Sequence, residues 1–149
     1  MNDLLENMKT MELYEPTAPE KLKLIEEELR ITLPEDYVKF MLLHNGGEGP
    51  VGEYGYLAVF GTDEIAEFFQ EPGIKDALQG LFFFASDRSG YLYAYDFRFA
   101  KVGIVEVPED IRDMAEIKPV ADSFADFIQY IYDIDDSEFE DILREGELH

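Results

Sequence analysis

The sequence predicts an α+β domain in which a meander of antiparallel strands is flanked by helices at both ends. Three observations predict it. Residues 81–107 hold three β-patterned runs separated by turn residues, the pattern of consecutive hairpins. Helix starts are marked before this region, at Pro34, and after it, at Ser123. With 149 residues, 12 phenylalanines and 9 tyrosines, the chain is the size of one domain, residues 1–149, and can bury a real core.

In chain order, Leu4, Leu5, Met8 and Met11 have the spacing of a short N-terminal helix over residues 2–12. Residues Glu15–Pro19 break it. Thr17 and Glu20 stand at capping-box spacing, and the helix they start carries Leu22, Ile25 and Leu29 on one face, flanked by Leu24 and Glu28. Arg30–Leu33 is a tight link into a second helix. Pro34 suits its first turn, Glu35 and Asp36 its positive end, and Tyr37, Phe40, Met41 and His44 share one face. Asn45-Gly46-Gly47 stops it. Two helices so closely joined should pack as an angled pair.

Residues 48–55 read as a glycine-rich, mobile loop. It lacks the Lys and Ser/Thr of a P-loop, and its two glutamates would repel phosphate. Contact with a partner is the functional alternative, because binding residues favour such loops.

Tyr56–Phe60 is a strand ended by Gly61. Thr62 caps a helix with Asp63 and Glu64 in its first turn and Ile65, Phe68 and Phe69 buried, stopped by Pro72-Gly73. Leu81–Ala85 has the length and hydrophobicity of a central strand buried on both faces. Asp87-Arg88-Ser89-Gly90 is a turn, and Tyr91–Tyr95 alternates, tyrosines on one face and Leu92 and Ala94 on the other. The tyrosines either pack under a helix, the commoner fate of such stripes, or form an exposed binding row. Val102–Val107 is a third strand, ended by Pro108. The remainder reads as helical. Ser123 caps a helix with Phe124, Phe127, Ile128 and Ile131 buried, and Ser137 and Glu140 have capping-box spacing for a last helix bearing Phe139, Ile142 and Leu143.

Against 12 basic residues stand 34 acidic ones, a net charge of -22. Such a field repels nucleic acid and anionic membranes and attracts basic proteins; solubility is its plainer use. No apolar run approaches the ~20 residues of a membrane span, and the N-terminus does not read as a secretory signal. With no cysteine there is no disulfide, thiolate metal site or thiol nucleophile, which fits a cytoplasmic location. His44 is read as a helix-dipole partner rather than a base or ligand, and His149 is terminal. Asp133–Glu138 starts like a calcium loop, but Glu138 and Arg144 stand where a glycine and a glutamate are required. No carboxylate pair is singled out for glycoside hydrolysis, and Ser86, Asp87 and Ser89 lack the Gly-x-Ser-x-Gly elbow. No catalytic, cofactor-binding or metal-binding residue is therefore assigned. Arg88 is expected to pair with a nearby carboxylate.

Several blocks together resemble the SUKH superfamily. Ile31, Leu33-Pro34-x-Asp36-Tyr37-x-x-Phe40 and Asn45-Gly46-Gly47 resemble its N-terminal signature. Tyr54-Gly55-Tyr56-Leu57 followed by Thr62-Asp63-Glu64-Ile65, then Phe84-Ala85-Ser86-Asp87-x-Ser89-Gly90-x-x-Tyr93-x-Tyr95-Asp96, are similar to its middle, and Val120-Ala121-x-Ser123-Phe124-x-x-Phe127 to its C-terminal helix entry. The resemblance spans roughly Leu22 to Ile131. It implies a twisted, mainly antiparallel sheet with helices around it, and a non-enzymatic role. Bacterial members act as immunity proteins that neutralise a cognate toxin, often a nuclease; the fungal branch is an interaction scaffold in cell-wall signalling. The family often has a tryptophan near the sheet; here Tyr54 or Tyr56 stands in that region. Because a nuclease is basic where it holds phosphates, the acidic chain is expected to meet a basic toxin domain through Glu53, Tyr54, Asp63, Asp87, Arg88 and Asp96. A regulatory scaffold and a carboxylate-based hydrolase are the alternatives.

Overall fold

The computed structural model describes residues 6–70, 80–110 and 114–134. Within them, four helices surround a seven-stranded antiparallel sheet whose order follows the chain, β1 to β7. The strands are β1 (Glu12–Leu13), β2 (Gly47–Val51), β3 (Gly55–Val59), β4 (Leu81–Ser86), β5 (Tyr91–Asp96), β6 (Gly103–Pro108) and β7 (Lys118–Ala121). The helices are α1 (Pro19–Leu29), α2 (Glu35–Leu43), α3 (Thr62–Gln70) and α4 (Phe124–Tyr132).

Alternation along the strands divides the apolar side chains between two layers. The larger joins Leu57, Val59, Phe82, Phe84, Tyr93, Tyr95 and Ile104 to Leu22 and Ile25 of α1, Tyr37, Phe40 and Met41 of α2, and the Phe124, Phe127, Ile128 and Ile131 stripe of α4. The smaller joins Leu81, Phe83, Ala94, Val105 and Val107 to Phe68 of α3 and Ile117. β4 is thus buried on both faces, as its apolar run predicts. Tyr37 is the aromatic hub, edge-on to Phe82, Phe84 and Tyr95 with centroids 5.5–5.7 Å away. Burial drives its phenol pKa far above the usual range.

The elements begin and end for local reasons. Ser123 Oγ accepts from Asp126 N–H at the start of α4, the cap its sequence position predicts. Asn45 Oδ1 accepts from Thr62 N–H at 2.9 Å, tying the stop of α2 to the start of α3. Asp36, in the first turn of α2, accepts from Phe124 N–H at 2.8 Å and so caps α4 from another helix.

Some expectations are corrected. No helix spans residues 6–12: residues 6 and 7 are helical, 8–10 form a turn, and Glu12–Leu13 pairs with β2 as an edge strand. Ala18 caps α1 and Pro19 fills its first turn; the Thr17 hydroxyl lies instead 3.3 Å from that of Thr62. Pro34 precedes α2 as its N-cap. Residues 48–51 are not a loop but β2, hairpinned to β3. Glycine is needed there because a Cβ on Gly47 or Gly49 would sit 2.7 Å from Glu12 O or 2.9 Å from Met11 Cα. The chain before α4 is not all helical: β7 extends the sheet beyond β6. The tyrosine stripe splits, Tyr93 and Tyr95 in the core and Tyr91 exposed at the strand's start. Residues 2–5 of the expected N-terminal helix, with Leu4 and Leu5, the Phe69 side chain, Pro72-Gly73 and the helix expected around Ser137–Leu143 lie outside the described residues.

Candidate functional site

The β4–β5 turn is built to hold one arginine out from the sheet. Asp87 Oδ1 accepts from the N–H groups of Ser89 and Tyr91, and Ser86 Oγ accepts from Arg88 N–H while donating to Tyr91 O. These bonds use the polar groups of Ser86 and Asp87 to shape the turn. They hold Arg88 at φ 60°, a left-handed conformation that costs a non-glycine residue about 1 kcal/mol or more. From there the guanidinium reaches Glu48 of β2 at 3.1 Å and Glu64 of α3 at 3.8 Å, with its carbon 5.9 Å from the Phe60 ring centroid. Tyr56 of β3 donates to the same Glu48 carboxylate at 2.8 Å. The tyrosine hydroxyl first, then Arg88, holds the Glu48 carboxyl below its usual pKa. A shallow cavity of about 210 Å³ adjoins, lined by Phe60, Glu64, Glu67, Phe68 and Arg88.

A second concavity, of about 510 Å³, lies where the β2–β3 turn meets the end of α4. Its walls include Glu53 and Tyr54 from the turn, Tyr132 and Asp133 from the helix end, and Glu6 and Lys9 from the N-terminal arm. Gly52 and Gly55 bring the two elements together. A Cβ on either would stand 2.4 Å from the carbonyl oxygen of Tyr132 or Ile131. Tyr54 is 50% exposed and Tyr132 42%.

Of the six residues expected to bind a partner, Glu53 and Tyr54 share the second concavity. Asp87 and Arg88 share the β4–β5 turn, and Asp63 precedes Glu64, the α3 residue that Arg88 reaches; Asp63 itself lies 3.4 Å from Lys21. Asp96 does not join them. It ends β5, about 17 Å of strand from the turn. Its buried carboxylate takes both Nε and a terminal nitrogen of Arg98 at 2.9 Å, and the Arg98 backbone N–H as well. Burial pushes its pKa up, but these bonds outweigh that and hold it below the usual value. Sequence reasoning missed Glu48, Tyr56 and Tyr132 as surface partners of these residues. Glu48 and Tyr56 become diagonal neighbours only once β2 is recognised as a strand.

His44 is the extended C-cap of α2, its Nδ1 3.1 Å from Tyr14 O, so its ring meets the N-terminal arm rather than the helix carbonyls. Among the described residues no three His, Cys, Asp or Glu side chains are grouped for a metal ion, and no helix is long and apolar enough to cross a membrane.

Compared with known proteins, the chain is matched over residues 16–130 by the model of the SMI1 / KNR4 family (SUKH-1). No curated protein matches it.

Proposed function

The chain belongs to the SMI1 / KNR4 family (SUKH-1), and from that membership we propose that it is a non-enzymatic binding domain, an immunity protein that docks on a basic toxin domain and blocks it. The observation that carries this reading is the display of half-exposed tyrosines, Tyr54 and Tyr56, among carboxylates on a body of net charge -22. Tyrosine supplies contact area at low entropic cost, and the acidic field accelerates encounter with a cationic partner while excluding nucleic acid. A nuclease neutralised this way would lose access to the phosphates its own basic site must hold. Among the described residues the two carboxyls whose pKa departs from the usual value, Glu48 and Asp96, are both lowered, whereas a general acid is raised toward neutral pH; this supports binding over hydrolysis.

The test is co-expression with a basic toxin domain encoded beside the gene. Protection of the cells, with a complex that associates more slowly as salt rises, is the expected result. Unprotected cells and no complex would overturn the reading, as would turnover of a substrate by the purified chain.

A further inference from the structure

We propose that the concavity between Tyr54 and Tyr132 receives an arginine side chain of the protein partner, and that it is where this chain, rather than its family, sets specificity. The proposal rests on the docking role above and names the chemistry of one contact within it.

Two exposed aromatic rings line the concavity, and a guanidinium is the cation best suited to stack on them, being planar and weakly hydrated. The charge around them is complementary. Among the described lining residues, Glu6, Glu53 and Asp133 contribute carboxylates against one ammonium, that of Lys9, which lies 2.6 Å from Glu6. Behind them stands the negative end of α4, whose last turn carries no basic residue. The Asp133 N–H bonds to Gln129 O and the Ile134 N–H to Ile131 O, so the helix end is ordered before any cation arrives. Gly52 and Gly55 allow the β2–β3 turn to approach that end at backbone contact.

The composition of the walls points to specificity. Only Gly52, Glu53 and Tyr54 fall inside the family match at residues 16–130; Glu6 to Thr10 precede it and Tyr132 to Ile134 follow it. The aromatic and acidic groups that would grip a cation thus come largely from this chain's own flanks.

The experiment titrates the full ¹⁵N-labelled chain with an acetylated, amidated pentapeptide, Gly-Gly-Arg-Gly-Gly, and with its lysine and citrulline counterparts. Expected are amide shifts confined to residues 52–54 and 132–134, tighter binding of the arginine peptide, and no shifts with citrulline. Tyr132→Ala should weaken binding about threefold to tenfold, and Tyr132→Phe should retain it, because the ring face is what acts. Shifts spread over the acidic surface, equal binding of arginine and lysine, or affinity unchanged in a Tyr54→Ala, Tyr132→Ala double variant would overturn the assignment. If the double variant still protects cells from the toxin while the peptide fails to bind, this contact is wrong and the docking role stands.

Discussion

Replacing Asp36 with alanine removes two hydrogen bonds in one step. Its Oδ2 accepts from Phe124 N–H and its Oδ1 from Tyr37 N–H, each at 2.8 Å. Both donors belong to first turns, of α4 and α2, where N–H groups have no partner within their own helix. A bond to a charged acceptor contributes about 1.5–3 kcal/mol, and water can replace part of it because the aspartate is exposed, so about 2 kcal/mol is expected for the pair. In urea unfolding that loss should lower the midpoint with the slope unchanged, and in thermal unfolding it should lower Tm by about 4–8 °C. Asp36→Asn keeps an acceptor but no charge and should lose about half as much. Glu35→Ala is the control, since its pair with Lys39 leaves both side chains more than 60% exposed and contributes at most about 0.5 kcal/mol. If Asp36→Ala were as mild as Glu35→Ala, the cross-helix cap would carry no weight and the reasoning from the aspartate of the Leu33–Phe40 signature would fail.

Three further outcomes are expected. The Tyr37 hydroxyl is fully buried with no hydrogen-bond partner, so Tyr37→Phe should leave stability unchanged or raise it by about 1 kcal/mol; a loss larger than that in urea unfolding would contradict the geometry. Asp96 has a lowered folded pKa, so it adds stability above the unfolded value of about 3.9 and loses it as pH falls through the folded one. Arg98→Gln removes the guanidinium bonds and charge and leaves only the backbone N–H of residue 98 to oppose burial, so that pKa should rise and the stability gap from the parent should narrow between pH 6 and pH 2.5; a constant gap would refute the pairing. Gly55→Ala forces a Cβ to within 2.4 Å of Ile131 O and 2.5 Å of Val51 O and should cost about 1–3 kcal/mol, read by thermal unfolding.

The central meander was legible because its signals are local. Leu81–Ala85 is an unbroken apolar run and Tyr91–Tyr95 alternates, so both strands and the double burial of the first follow from side chains alone, whereas the split of the tyrosine row and the register shift between Phe83 and Ala85 do not. β2 was not legible, since Gly47, Gly49 and Pro50 have low strand propensity. They are there because the backbone of residues 11–12 passes too close for a Cβ, a long-range constraint that local pattern does not encode. Thr17 failed as a cap for a similar reason: its hydroxyl finds Thr62, 45 residues away. At the site, charge and the Tyr54 region could be read directly, and so could the pairing of Arg88 with a carboxylate. The concavity could not, because its second wall is the end of α4, and only backbone contact through Gly52 and Gly55 joins it to the first. Asp96 was grouped with the surface acids because its residue type suggested exposure; the arginine two positions on is what allows it to be buried.

A sheet laid down in chain order can be assembled while the chain is still being made. Each strand emerging from the ribosome meets, as its hydrogen-bonding neighbour, the strand synthesised just before it, so the sheet grows from one edge to the other with no threading. The stripe Phe124–Ile131 arrives after β7, and until it does Phe84 and Tyr93 lack the Phe127 ring that packs on them. A nascent or truncated product ending before Ser123 therefore presents a sticky aromatic sheet, and synthesis of α4 is the step that covers those rings.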